Sequence, residues 1–291
     1  MDMKKIYPIF AIFFISAYTF GQATFLAKTG INYWNNAASW TIISGTDPDG
    51  IPDADDDVII QDGTTSASIM LISTPESCNT VYLNANNNDL GQDARLQTAT
   101  GGSLSVAGNV SLTDGSIGGK ARLRLSTGTS ITISGNIVYT GVTSAANVIV
   151  ECLSNTTLTL GGDLGSGGTF VGNNTTATLV LNGTGAQTIQ GSSANYTYKN
   201  ITQSGSGTVT LAGALDATNF TGNLTINAGT FDNGGFAITG ASGATLTVAG
   251  GAVLKLTGTS GFPTGFGTTD LQYNSTVEYA GSSQTVAGIA Y

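Results

Sequence analysis

The sequence contains no histidine, and only 9% of its residues are charged, against roughly 25% in ordinary soluble domains. Without imidazole, Ser-His-Asp triads, Cys-His dyads and histidine-based zinc sites are excluded. Nine Lys and Arg face eighteen Asp and Glu, which gives a net charge of -9. Because nucleic acids are bound through cationic surfaces, this balance argues against a nucleic-acid partner.

Long apolar stretches are also absent after the N-terminus. Lys4 and Lys5 precede an apolar run over residues 6–20, which is shorter than the ~20 residues that a spanning helix needs. This arrangement predicts a cleaved signal peptide at residues 1–22, with a retained N-terminal anchor as the alternative. The protein is then secreted or at the cell surface, with no membrane span after signal cleavage.

Glycine, in contrast, is abundant, with 41 residues but no G-X-Y period, so the sequence is not collagen-like. One phrase recurs at a constant interval, as GSLSVAGNV from Gly102, TSITISGNI from Thr129 and TTLTLGGDL from Thr156. Related phrases return as GTVTLAGAL from Gly207, GNL from Gly222 and ATLTVAGGAV from Ala244. A second phrase follows the first three copies, as ARLRL from Ala121, NVIVEC from Asn147 and ATLVLN from Ala177. A fixed period of about 27 residues is the mark of a repeat architecture.

Apolar and polar residues alternate within each phrase, as in strands with one buried face. Leu104, Ile131 and Leu158 hold equivalent positions and are expected to form one interior column. The intervening column of Ser105, Thr132 and Thr159 is expected to point outward. The fold class predicted is all-β, a parallel β-solenoid of irregular ~27-residue coils with an N-terminal cap. A β-sandwich is the alternative, because it also has regularly spaced strands.

The repeat divides the chain into three parts: residues 1–22 as signal peptide, 23–75 as N-terminal cap and acidic loop, and 76–291 as solenoid repeats truncated at the C-terminus. The last part is taken as truncated because the copy beginning at Val277 stops where its next strand is due. Trp34 and Trp40 lie in the segment assigned to the cap. A cap is needed because the first coil of a solenoid exposes core and unpaired strand edges.

The register of the repeat also predicts neighbours on successive coils. Arg124 and Glu151 are separated by one full period and are expected to pair, as a structural contact more than a catalytic one. Asn109, Asn136 and Asp163 each follow a repeat glycine and are expected to form a hydrogen-bonded ladder along the axis.

The two cysteines are predicted to be free thiols. Cys78 and Cys152 are almost three coils apart, which at ~4.8 Å per coil exceeds the ~7 Å Cα limit of a disulfide. Cys152 falls in the column of Leu125 and is therefore expected to be a small buried hydrophobe.

An acidic run lies in DPDGIPDADDD, from Asp47 to Asp57. One interpretation is a solvated acidic loop. The other is a calcium site, because a hard cation takes six to eight oxygen ligands and the carboxylates recur at short intervals. Calcium is then the only cofactor to consider, and the candidate ligands are Asp47, Asp49, Asp53, Asp55 and Asp57, with Asp56 in the same run. The run partly resembles thrombospondin type 3 calcium repeats, but it lacks their second Asp-Gly step and their cysteine.

Several features together resemble large exported repeat proteins of the Bacteroidota, some of which contain glycine-rich G8-like modules. These features are the N-terminal apolar run, the Trp34–Trp40 spacing, PDADDDVII from Pro52, and the pair VLNGTGAQTIQG and VEYAGSSQTVAG. The resemblance implies a β-helical, adhesin-like surface protein exported by the type IX route. The sorting domain usual in that route is absent from this sequence.

The function predicted from these observations is a non-catalytic, extracellular, adhesin-like scaffold, not an enzyme, whose partners are surface glycans or cell-envelope proteins. One alternative is the N-terminal part of a polysaccharide-degrading β-helix enzyme, which needs paired carboxylates. Beyond residue 102 the acids are scattered: Asp114, Glu151, Asp163, Asp216, Asp232, Asp270 and Glu278. A carbohydrate-binding module is a further alternative, with Tyr196, Tyr198, Phe231, Phe236 and Tyr279 as candidate platforms. Ice binding through the outward hydroxyl column is the last.

Overall fold

The computed structural model describes residues 21–63, 66–85, 92–114 and 118–288, and nearly all regular structure in these ranges is β. Most of the predicted signal peptide (residues 1–20) and the last three residues lie outside the described part. The strands in chain order are β1 (Thr24–Ala27), β2 (Gly30–Tyr33), β3 (Trp40–Ser44), β4 (Asp57–Gln61), β5 (Ser68–Ile72), β6 (Pro75–Cys78), β7 (Thr80–Asn84), β8 (Ala94–Thr98), β9 (Ser103–Val106), β10 (Val110–Thr113), β11 (Ala121–Leu125), β12 (Ser130–Ile133), β13 (Ile137–Thr140), β14 (Val148–Cys152), β15 (Thr157–Leu160), β16 (Thr169–Gly172), β17 (Thr178–Leu181), β18 (Ala186–Ile189), β19 (Tyr196–Tyr198), β20 (Asn200–Gln203), β21 (Thr208–Leu211), β22 (Leu224–Ile226), β23 (Thr230–Asp232), β24 (Thr245–Val248), β25 (Val253–Leu256), β26 (Thr268–Leu271) and β27 (Thr276–Tyr279).

Two single-turn 3₁₀ helices, Ala37–Ser39 and Ala145–Asn147, interrupt the strands. In the part of the chain that the structure describes, neither has the length to cross a bilayer.

The strands form four sheets in which every neighbouring pair except one is parallel. Sheet A has the order β13-β10-β7-β4-β1-β3, and sheet B has the order β19-β16-β14-β11-β8-β5-β2. Sheet C runs β26-β24-β22-β20-β17-β15-β12-β9-β6, and sheet D runs β18-β21-β23-β25-β27. The chain visits these sheets in turn and stacks as a β-solenoid of about eight turns, which confirms the predicted fold class.

The predicted interior column lies in sheet C. Ile131 pairs with Leu104 on one side and with Leu158 on the other, and all three side chains are at most 1% exposed. The alternation in the phrases therefore places apolar side chains inside the rod. Each such burial contributes roughly 1.5–3 kcal/mol through the hydrophobic effect.

Beyond β15 the coils become shorter than the strict period of the earlier repeats. The column that begins at Leu104 continues through Leu179, Ile201, Leu224 and Leu246, each of which follows its predecessor after a shorter segment of chain. Sheet A ends at β13, and after β19 sheet B continues only as an isolated bridge among the described residues, from Tyr198 to Phe220. The coil from β17 to β20 still contains strands of sheets B, C and D, so its shorter length comes from shorter strands and connections, such as the single residue between β19 and β20.

Two of the repeated phrases lie in sheets other than the ones that their spacing suggested. ATLVLN from Ala177 forms β17 in sheet C, where Leu179 stacks on Leu158, whereas ARLRL and NVIVEC form strands of sheet B. GTVTL from Gly207 forms β21 in sheet D. The phrase that occupies sheet B after NVIVEC is TFVG, the strand β16. Because period-two alternation is the same on every side of the rod, the pattern does not distinguish one sheet from another.

The N-terminal end of the rod is covered by β3, which pairs antiparallel with β1. Trp34 and Trp40 are buried and meet edge to face, with ring centroids 5.2 Å apart. The Trp40 Nε1 donates to the Trp34 carbonyl at 2.7 Å, and the Trp34 Nε1 donates to the Pro52 carbonyl at 3.2 Å. The indole hydrogen bonds of the two tryptophans thus hold the acidic loop against the rest of the predicted cap.

Parallel pairing already begins within residues 23–75. Strand β1 pairs in parallel with β4, and β2 pairs in parallel with β5. Within this segment β3 is the antiparallel strand, so the departure from solenoid geometry is concentrated in β3 and the acidic loop after it.

Candidate functional site

The acidic loop between β3 and β4 brings three carboxylates together. Ligand oxygens of Asp47, Asp53 and Asp56 lie within 4.8 Å of one another. The Asp56 side chain is buried, and it accepts hydrogen bonds from the backbone N–H groups of Ala23 at 2.7 Å and Asp53 at 2.9 Å. This carboxylate therefore joins the loop to the start of β1.

Crowding changes the acidity of these groups. The side-chain hydrogen bond with Asp55, followed by burial, raises the pKa of Asp53 from 3.8 to about 6. Burial raises the pKa of Asp56, although two backbone hydrogen bonds act in the opposite direction. A bound cation would favour the ionised forms that the crowding disfavours.

Two of the five predicted calcium ligands, Asp47 and Asp53, belong to this cluster, whereas Asp49, Asp55 and Asp57 do not. The Asp57 carboxylate instead accepts hydrogen bonds from two side chains of the next coil, at 2.9 and 2.6 Å. Three carboxylates supply only part of the six to eight oxygens that calcium takes. Calcium binding here stays a prediction.

The third member of the cluster, Asp56, was not in the predicted ligand set. Its signal in the sequence is the alternation that continues into β4, because Asp56, Val58 and Ile60 all point inward and are at most 1% exposed. An acid at an inward position needs polar partners, and here the loop supplies them.

The cross-coil pair of Arg124 and Glu151 is confirmed. The two residues are directly opposite in β11 and β14, and the Arg124 Nε lies 3.0 Å from the Glu151 Oε2. The Arg122 Nη1 lies 4.0 Å from the same oxygen. A partly exposed pair of this kind contributes about 0.2–1 kcal/mol.

The ladder predicted after the repeat glycines is also confirmed. The backbone N–H of Asn136 donates to the Asn109 Oδ1 at 2.8 Å, and that of Asp163 donates to the Asn136 Oδ1 at 2.6 Å. The backbone N–H of Thr188 extends the ladder to the Asp163 Oδ1 at 2.6 Å. The carboxylate of Asp163 is thereby engaged in stacking one coil on the next.

Asp114 makes the most extensive of these cross-coil contacts. Its buried carboxylate accepts hydrogen bonds from the backbone N–H and hydroxyl of Thr143 at 2.9 and 2.7 Å, and from the backbone N–H of Ser144 at 2.8 Å. Burial alone would raise the pKa of Asp114, but the hydrogen bonds outweigh it and lower the pKa. The ionised form is therefore the one that the fold stabilises.

The other acids considered for catalysis are dispersed along the rod. Asp232 pairs with Lys255 at 3.2 Å, and Asp216 caps a turn by accepting from the backbone N–H of Thr218 at 2.9 Å. A surface groove of about 280 Å³ beside β13 contains a single carboxylate, that of Asp163. A paired-carboxylate glycosidase needs two at roughly 5–10 Å.

Three of the five candidate aromatic platforms are core residues. Tyr196, Tyr198 and Phe231 are 7% exposed or less, whereas Phe236 is 40% exposed and Tyr279 is half-buried. The buried rings lie in sheets B and D, where they fill the interior, so they are not available to stack on a sugar.

The outer face of sheet C carries two columns of small side chains, all of them polar except Val180. They are half-buried or exposed and stack in register without a shift: Ser103, Ser105, Ser130, Thr132, Thr157, Thr159, Thr178, Val180, Asn200, Thr202, Thr225, Thr245 and Thr247. The outward direction of Ser105, Thr132 and Thr159 agrees with the sequence pattern.

Comparisons with family models, with curated proteins and with solved structures gave no match to this chain.

Proposed function

We propose that the protein is a non-catalytic, extracellular, adhesin-like scaffold that presents a β-solenoid surface to the cell surface, the matrix or glycans. The observation that carries the proposal is the use of polar side chains between coils. Asn109, Asn136, Asp163 and Asp114 each hold the backbone of the next coil. These carboxylates and amides thus accept hydrogen bonds that stack one coil on the next, and they are not free to act on a substrate.

A rod of this kind suits a contact role for physical reasons. Each coil buries its apolar face only against its neighbours, so the stack forms one extended body with repetitive outer faces. Repetitive faces can meet a repetitive partner at many points, and weak contacts then add to a large avidity. The resemblance to exported Bacteroidota repeat proteins and the N-terminal apolar run support an extracellular location.

The location is tested by adding proteinase K to intact cells that produce the full chain with an epitope tag. We expect the protease to remove the tagged protein while a cytoplasmic marker survives. Recovery of the protein intact, together with the cytoplasmic marker, would contradict an extracellular role.

The alternative is the N-terminal part of a polysaccharide-degrading β-helix enzyme or a carbohydrate-binding module. Purified protein is incubated with neutral and acidic polysaccharides, and reducing ends are measured against a heat-denatured control. If the protein is a scaffold, we expect no more reducing ends than in the heat-denatured control. Release that is lost in a Glu151→Gln or Asp163→Asn variant would favour the enzyme.

A further inference from the structure

All three arginines of the chain lie together on the outer face of sheet B. Arg95 is in β8, and Arg122 and Arg124 are in the adjacent strand β11. Arg95 and Arg122 are directly opposite each other, about 4.8 Å apart as strand neighbours. Like charges in that position are unfavourable unless something compensates them.

Most donors of these guanidinium groups are unused within the described part of the chain. Each guanidinium offers five N–H donors. Arg95 donates one hydrogen bond, to Asp93 at 3.1 Å, whereas Arg122 and Arg124 form ion pairs with Glu151 without a hydrogen bond. The Nε atoms of Arg95 and Arg122 are buried and lack an acceptor among the described residues, whereas the Arg124 Nε lies 3.0 Å from the Glu151 Oε2 without hydrogen-bond geometry. Buried polar groups without partners are rare in native proteins and call for an explanation.

The local charge is positive although the chain as a whole carries -9. Among the described residues, the face holds the three arginines and Lys120, and the acids that face them are Asp93 and Glu151. Four cations against two carboxylates leave an excess of two positive charges. More distant acids are screened at physiological salt, where the Debye length is about 8 Å.

We propose that this arginine face binds an anionic polysaccharide, through sulfate or carboxylate groups carried on successive sugars. The planar fork of arginine matches the oxygens of both groups and binds them bidentately. The opposed pair of Arg95 and Arg122 repeats the fork along the rod axis at the strand spacing, about the length of one sugar residue. This inference deepens the proposed function and rests on it.

The residues around the arginines fit a sugar chain. Gln97 is the register neighbour of Arg124 and offers an amide to hydroxyl groups, and Ile149 is the register neighbour of Arg122 and offers an apolar contact to a sugar ring. Duplex DNA lacks the free sugar hydroxyls that the Gln97 amide would contact, and its binding requires more neutralised phosphates than three arginines and Lys120 supply.

The test is binding of the purified full chain to polygalacturonate and dextran sulfate, with uncharged dextran and duplex DNA as comparisons. We expect both anionic glycans to bind more tightly than dextran and DNA, with an affinity that falls as salt rises. The Arg95→Gln/Arg122→Gln variant is expected to lose about tenfold in affinity per arginine. Lys255→Gln, which removes a cation from sheet D, is the matched control and is expected to leave binding unchanged.

Two single substitutions test the same face with a smaller change to the fold. Arg122→Lys keeps the charge but loses the fork and is expected to weaken binding. Glu151→Gln removes a carboxylate that neutralises Arg122 and Arg124 and is expected to strengthen binding. Binding that is equal in all variants, weaker with Glu151→Gln, no tighter than to dextran, or as tight to DNA would overturn the inference. A protein that is shown to be extracellular and non-catalytic but does not bind these glycans would refute this inference alone.

Discussion

Gln187 and Gln284 follow strands of different sheets, β17 in sheet C and β27 in sheet D, and make closely similar hydrogen bonds. The Gln187 amide accepts from the Gly183 N–H at 2.8 Å and donates to two carbonyls of an earlier coil at 2.9 and 2.7 Å. The Gln284 amide accepts from the Gly281 N–H at 2.8 Å and donates to two such carbonyls at 3.2 and 2.7 Å. In both phrases, GAQTI and SSQTV, the glutamine amide thus links its own turn to the preceding coil by hydrogen bonds.

Replacing Gln187 by alanine is expected to destabilise the protein. Gln187 is 2% exposed. The change removes the side-chain partner of the Gly183 N–H and of the Gly162 carbonyl, whereas the Leu160 carbonyl keeps the Asn182 N–H, so we expect a cost of roughly 1–3 kcal/mol. The measurement is the free energy of unfolding in urea. Gln272→Ala, at an exposed position, is the control and is expected to change stability by no more than about 0.5 kcal/mol. Equal effects of the two substitutions would refute the structural role of Gln187.

The contribution of Asp114 is expected to depend on pH. Because its pKa in the folded protein lies below the ordinary value of 3.8, its stabilisation is complete above about pH 4–5 and is lost as pH falls through the lowered pKa. Asp114→Ala should therefore lower the free energy of unfolding by roughly 1–3 kcal/mol at pH 7. The difference from the unsubstituted protein should shrink at pH 2. Asp270→Asn, at an exposed site, serves as the control, and a difference that persists unchanged at pH 2 would contradict the assignment.

Calcium binding by the acidic loop is tested by titration calorimetry of the purified protein. The prediction is a heat of binding that is lost in Asp53→Asn and retained in Asp270→Asn, because Asp53 lies in the carboxylate cluster and Asp270 lies at the opposite end of the rod. Absence of any calcium heat would leave the loop as a solvated acidic segment that the tryptophans and Asp56 hold in place.

Both cysteines are expected to be unreactive in the folded protein. Cys78 and Cys152 are buried and unpaired. Burial raises the pKa of Cys78 far above its ordinary value and raises the pKa of Cys152 to about 12, so the reactive thiolate is scarce at neutral pH. A thiol reagent should label no cysteine in the native protein and two after denaturation. A Cys78–Cys152 disulfide detected by mass spectrometry would contradict the stacking.

The sequence was most informative where the period was strict. Between Gly102 and Asp163 the constant step made the column of Leu104, the Arg124–Glu151 pair and the Asn109 ladder predictable. In this part the spacing alone specifies which residues are neighbours, because a parallel ladder without a register shift repeats every contact.

Other features depend on connection lengths, which alternation does not encode. The placement of β17 and β21 in sheets C and D followed from shorter connections. The pairing of Asp232 with Lys255 spans one of the shorter coils, so the strict period did not predict it. In the acidic loop, Asp56 joins the carboxylate cluster and Asp57 does not. Asp56 is held inward by the hydrogen bond from the Ala23 N–H, a contact that the spacing of the aspartates does not predict.

From β8 to β14 each coil has the same number of residues, so the rod could be shortened or lengthened by a whole coil without a change in its local structure. Removing one whole period within that region would join positions that already share a register, so every inward side chain would meet an equivalent partner. Removing a single residue inside a strand would instead turn its apolar side chains outward. The distance between the two ends of the rod can therefore change by one coil at a time, about 4.8 Å, while the interior packing stays the same.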